Sequence, residues 1–165
     1  MKLFLSEKLT LHTSLSRTEA LKKLRDNIGS PGTFLERIED NRSFEGTITD
    51  NSFAIKRIIN YKNSFLPIIK GEFSEMANGT KISLVMKPDP NIIKFMMLWL
   101  AGVFLGIIVL LFVGFTKEGS HYAALFPCGI LAMGIGIITV GFNTERAKAK
   151  TKLIEILEAE VKKDL

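Results

Sequence analysis

Two uncharged apolar runs constrain this chain more than any other feature. Phe95 to Phe115 and Tyr122 to Phe142 each hold 21 residues without Asp, Glu, Lys, Arg or His. A helix needs about 20 apolar residues to cross a hydrocarbon core of roughly 30 Å. Both runs meet that length, exceed the apolar core of a signal peptide, and lie in the C-terminal half of the chain. They predict a helical hairpin through a membrane, joined by the polar loop Thr116 to His121.

The flanking charges predict its orientation. Lys81, Lys87 and Lys94 precede the first run, and Arg146, Lys148, Lys150 and Lys152 follow the second, against Lys117 alone in the connecting loop. Basic residues near span ends are retained on the cytoplasmic side. Both termini are therefore expected in the cytoplasm, with the protein in the cell's inner membrane.

Small residues recur at helical spacing on each run. Gly102, Gly106 and Gly114 mark one face of the first, and Ala124, Cys128, Ala132 and Gly136 mark the second. In lipid, such stripes let backbones approach closely. The expectation is that they pack the two helices together; the alternative is that one stripe joins two chains. With no ionisable group inside either run, a proton relay or ion pathway within one hairpin is disfavoured.

The net charge of +5 divides mildly between the soluble part and the rest, and its densest basic cluster follows the second run. That placement suits anionic headgroups, and no arginine-rich groove with interleaved aromatics argues for nucleic acid. The expected partners are the lipid bilayer and either a protein partner or a second copy of the chain. Cys128 is the single cysteine, so no internal disulfide forms and no zinc-ligand spacing exists.

The remaining sequence predicts an α+β fold in three parts: a cytoplasmic domain over 1–91, the hairpin over 92–142, and a cytoplasmic amphipathic helix over 143–165. Leu3, Leu5, Leu9 and Leu11 suggest a first strand. Ser16-Arg-Thr-Glu19 is a capping box opening a helix that ends before Gly29-Ser-Pro-Gly32. From Phe44, alternating apolar residues and turns at Asp50-Asn51, Tyr61 to Ser64 and Asn78-Gly79 predict four strands as an antiparallel meander. Pro67 places its strand at an edge or a bulge. Pro88-Asp-Pro90 stiffens the passage into the first run. Leu153, Ile154, Leu157 and Val161 form a stripe on a helix over Asn143 to Lys163, with Glu158 and Lys162 paired along it; the stripe is expected to cover the sheet.

Chemistry is sparse. The sequence has no nucleophile elbow, Walker loop, zinc-protease motif or dinucleotide fingerprint. Neither a catalytic residue, a metal site nor a cofactor is expected. Glu36, Glu39 and Asp40 read as a solvated stretch, and Arg57, Tyr61 and Asn63 read either as an anion- or ligand-contacting group or as a polar strand end. The stretches from Phe53 to Gly71 and from Gly79 to Pro88, followed by the hairpin, resemble a family of small, uncharacterised bacterial two-span membrane proteins. The resemblance implies a plasma-membrane location and transfers no activity and no site residue. Together these features predict a non-enzymatic, membrane-tethered binding or scaffold module. The alternative is a self-assembling small channel or transporter accessory built on the small-residue faces.

Overall fold

Apolar residues at every second position form the strands, and a computed structural model, which describes residues 6–29, 42–116 and 125–162, shows how they assemble. The order is β1 (Glu7–Thr13), α1 (Arg17–Asp26), β2 (Ile28–Gly29), β3 (Phe44–Ile48), β4 (Ser52–Arg57), β5 (Pro67–Met76), β6 (Gly79–Pro88), α2 (Pro90–Thr116), α3 (Leu125–Leu157) and β7 (Ala159–Lys162). The seven strands form one sheet in the order β2-β3-β4-β5-β6-β1-β7. The pair β2–β3 is parallel and the others are antiparallel, so the sheet is mixed and adds β2 and β7 to the first strand and four-strand meander expected. The α+β class holds.

One face of the sheet carries the core. Leu9, Leu11, Phe53, Ile55, Ile69, Phe73, Ile82, Leu84 and Met86 point into it. Ala20 and Leu24 of α1 and Ala149, Leu153 and Leu157 of α3 cover it, all five with no exposed surface. Each buried aliphatic or aromatic side chain contributes about 1.5–3 kcal/mol relative to exposure, so this shared layer holds both helices on the sheet. At the start of α1, the Ser16 backbone N–H and hydroxyl donate to Glu19 at 2.9 and 2.6 Å. The side-chain bond first, then the backbone bond, holds the Glu19 carboxyl below its ordinary pKa.

Three local expectations need correction. The C-terminal helix does not reach Lys163: α3 stops at Leu157, Glu158 turns the chain with φ 46°, and β7 pairs with β1 from Thr10↔Lys162 to Thr13↔Ala159. Ala159 joins the core through this pairing, while Val161 stays exposed and Glu158 pairs with Lys23 of α1 instead of Lys162. Pairing with β7 covers the edge of β1, whose N–H and C=O groups on that side would otherwise be left without a strand partner. Pro67 lies on an interior strand, yet it opens β5 opposite Pro88, and β4 first pairs at Ile69, so its missing N–H interrupts no ladder. The turn before β6 is Ala77-Asn78; Gly79 carries the positive φ, and a Cβ there would lie 2.0 Å from the Thr13 carbonyl oxygen.

Pro90 is the first residue of α2, where proline's fixed φ suits a helix start. Asp89 caps it, its carboxylate accepting the Asn91 N–H at 2.8 Å. The 27 residues of α2 extend about 40 Å and the 33 of α3 about 50 Å at 1.5 Å per residue. Both helices are long and apolar enough to cross a membrane, with mean hydropathy 2.8 and 2.1 over their apolar windows. Large hydrophobic side chains stand exposed along them, among them Phe104, Phe112, Phe126 and Val140.

The two helices touch where a bulky ring meets a glycine. The Trp99 ring fills the space left by Gly134, where a Cβ would lie 2.6 Å from it, and Ile107 and Ile138 are buried. Gly134→Ala forces the ring aside and is expected to destabilise the helix pair by about 1–3 kcal/mol. Gly102→Ala meets nothing within 4 Å and is expected to leave the pair's stability unchanged or raised. Unfolding of the full chain in detergent micelles measures both.

Candidate functional site

The most distinctive polar cluster forms where α3 leaves its apolar run. Glu145, three residues beyond Phe142, is 2 % exposed. Helix periodicity places it on the same face as Phe142, Ala149 and Leu153, so its carboxylate faces the sheet rather than solvent. Three donors replace the lost water. Arg57 Nη1 donates to Oε2 at 2.7 Å, Tyr61 Oη donates to Oε1 at 2.5 Å, and Lys148 Nζ donates to Oε1 at 3.3 Å. Lys148 also reaches Tyr61 Oη at 3.3 Å and stands 5.4 Å from the centre of its ring. These contacts, the Tyr61 bond first and the Glu145 carboxylate second, raise the Lys148 pKa above its ordinary value.

A second clasp grips the same stretch of α3 from the opposite side. Glu7 at the start of β1 faces Arg146 at 3.1 Å and Lys150 at 3.6 Å. These pairs are partly solvated and contribute little individually, about 0–1 kcal/mol each. Their geometric effect is to tie β1 to the helix side that Arg57 and Tyr61 leave open. With Lys152 on Glu155 at 2.9 Å, Arg146, Lys148, Lys150 and Lys152 each have a carboxylate partner. An open groove of about 590 Å³ lies beside the cluster, lined in part by Arg42, Arg57, Lys148, Thr151, Lys152 and Glu155.

The structure brings two of the three sequence candidates together. Arg57, the last residue of β4, and Tyr61, in the following loop, converge on Glu145, so their donors are directed to an internal carboxylate. Asn63 does not join them; its Oδ1 accepts the Phe65 N–H at 2.9 Å and shapes the loop. Glu145 belongs to no recognisable motif in the sequence. The available signal is that it is the sole acid between Tyr122 and Lys152, one residue ahead of a basic run.

The small-residue stripes take a different place from that expected. A Cβ built at Gly102, Gly106 or Gly136 meets no atom within 4 Å, and Cys128 and Ala132 are exposed. These five positions therefore lie outside the seam between α2 and α3, which includes Trp99 against Gly134. Gly114 lies in the last turn of α2, while Ala124, Glu36, Glu39, Asp40 and most of the connecting loop lie outside the described residues. Among the described residues, no group of three His, Cys, Asp or Glu side chains could hold a metal ion. No family model matches the sequence, and the comparisons with curated proteins and with solved structures found no match.

Removing one partner of a buried ion pair strands the other charge. Arg57→Ala is expected to destabilise the chain by about 3 kcal/mol, near the lower end for buried pairs because Tyr61 and Lys148 remain. Adding Glu145→Ala removes the stranded charge and is expected to recover part of that loss. Thermal unfolding of the single and double variants in detergent checks both signs; additive losses would deny the coupling.

Proposed function

We propose that this chain is a membrane-tethered, non-enzymatic binding or scaffold module. Its α2 and α3 cross the inner membrane as a hairpin, and its sheet stands on the cytoplasmic side. The observation that carries this reading is the continuity of α3. One helix supplies exposed apolar side chains along its first half and core residues Ala149, Leu153 and Leu157 along its second. A span joined to a domain in this way fixes the domain's height and tilt, which suits presenting a surface at a membrane. The excess of basic residues around the domain supports cytoplasmic termini.

The surface presented is the sheet face opposite the core, which α1 and α3 leave uncovered among the described residues. It forms a shallow groove of about 590 Å³, lined in part by Lys8, Thr47, Lys70, Glu72, Lys81 and Ser83. Three lysines with hydroxyl groups and one carboxylate favour an acidic protein segment as the bound partner. In a mild-detergent pull-down of the full chain, Lys70→Glu with Lys81→Glu is expected to lose the wild type's stoichiometric partner while unfolding at the wild-type temperature. Retention of that partner would remove this face from the account.

The open Gly102, Gly106 and Gly136 positions favour a second reading, self-assembly into a small channel or transporter accessory. Oxidative crosslinking through exposed Cys128 in native membranes separates the two. A persistent monomer supports the binding module, whereas efficient disulfide-linked dimer supports self-assembly.

A further inference from the structure

Residues 58–66, which join β4 to β5, read Ile-Ile-Asn-Tyr-Lys-Asn-Ser-Phe-Leu. This loop leaves the sheet at the end where the chain enters α2, because Pro67 is paired with Pro88. It then rises alongside α3. The Phe65 ring lies against Gly141, where a Cβ would come within 3.1 Å of it, and Gly141 is the penultimate residue of the second uncharged run. The loop thus reaches the level of the apolar segment rather than the level of the domain's core.

Its composition fits that height. Ile58, Ile59, Phe65 and Leu66 are half-buried and lie outside the core beneath the sheet. Tyr61 is exposed over 42 % of its surface, with its hydroxyl directed to Glu145. Lys62 at the loop's tip and Lys94 in the second turn of α2 are exposed, and neither makes an ion pair among the described residues. Half-covered aliphatic groups beside a tyrosine and unpaired lysines match a headgroup boundary, where rings and aliphatic stems meet acyl chains and ammonium groups meet phosphates.

We propose that the loop 58–66 docks into the surface of the surrounding bilayer, seating Ile59 and Leu66 at the headgroup–acyl boundary with Lys62 against anionic lipid phosphates. The inference rests on α2 and α3 spanning the membrane. It adds a third point of attachment, so that the sheet is held to the leaflet by a loop as well as by two helices.

The test uses the full chain carrying Cys128→Ser in lipid nanodiscs, with and without phosphatidylglycerol. Single spin labels are placed through Ile59→Cys, Leu66→Cys, Val109→Cys in α2, and Glu75→Cys at the far end of β5. Collision with oxygen reports lipid exposure, and collision with a nickel chelate reports water exposure. The expected result is lipid exposure at Val109, water exposure at Glu75, and Ile59 and Leu66 on the lipid side of the midpoint. Lys62→Glu is expected to shift both loop labels toward water only where phosphatidylglycerol is present. Loop labels matching Glu75 while Val109 stays in lipid would overturn the docking loop alone. Loop labels shielded from both reagents would also overturn it, by placing protein there instead of lipid. Water exposure at Val109 would overturn the membrane-spanning reading and this inference with it.

Discussion

Glu145 has exchanged its water for Arg57, Tyr61 and Lys148, and that exchange joins the sheet to the long helix at the point where its exposed apolar segment gives way to residues packed on the sheet. A carboxylate 2 % exposed and without donors would cost several kcal/mol. The sheet must therefore keep the end of β4 and the following loop close to α3. Buried ion pairs add little net stability compared with apolar packing, but they penalise every arrangement that separates the partners. Here the arrangement penalised is a sheet displaced along the helix or swung away from it.

The same helix satisfies two environments with one backbone. Above Phe142 its side chains are apolar and largely exposed, while below it every third or fourth residue is buried against strands. A flexible linker between the apolar segment and the domain would permit independent motion. A helix with its i→i−4 hydrogen bonds intact transmits orientation instead. The clasp of Glu7 by Arg146 and Lys150 and the cap of α2 by Asp89 act on neighbouring stretches, so β1, β4 and β6 all meet the helices at one end of the sheet.

Much of this was legible in sequence, for reasons that differ by element. Alternation in β5 and β6 placed Ile69, Phe73, Ile82, Leu84 and Met86 on one face because a strand's period leaves no other choice when one face is buried. Length and hydropathy identified the two apolar helices, and Ser16 with Glu19 identified the start of α1. The strand β7 has no clear signature in the sequence because its four residues carry one small apolar and one branched residue between charges, and only β1 supplies its partner. The convergence of Arg57 and Tyr61 on Glu145 spans more than 80 positions, a separation that no local pattern encodes. The small-residue spacing was real as a pattern, but pattern alone did not say whether its neighbour is the same chain, another chain or lipid.

The continuous α3 and the Glu145 cluster tie the helix's apolar segment to the sheet as one unit. The most direct measurement is the spin-label distance distribution between native Cys128, in the first turns of α3, and Glu75→Cys at the far end of β5, recorded in nanodiscs. A single narrow distribution is predicted. A broad or multi-peaked one in the intact chain would contradict the account, because the sheet would then move independently of the helix that carries it.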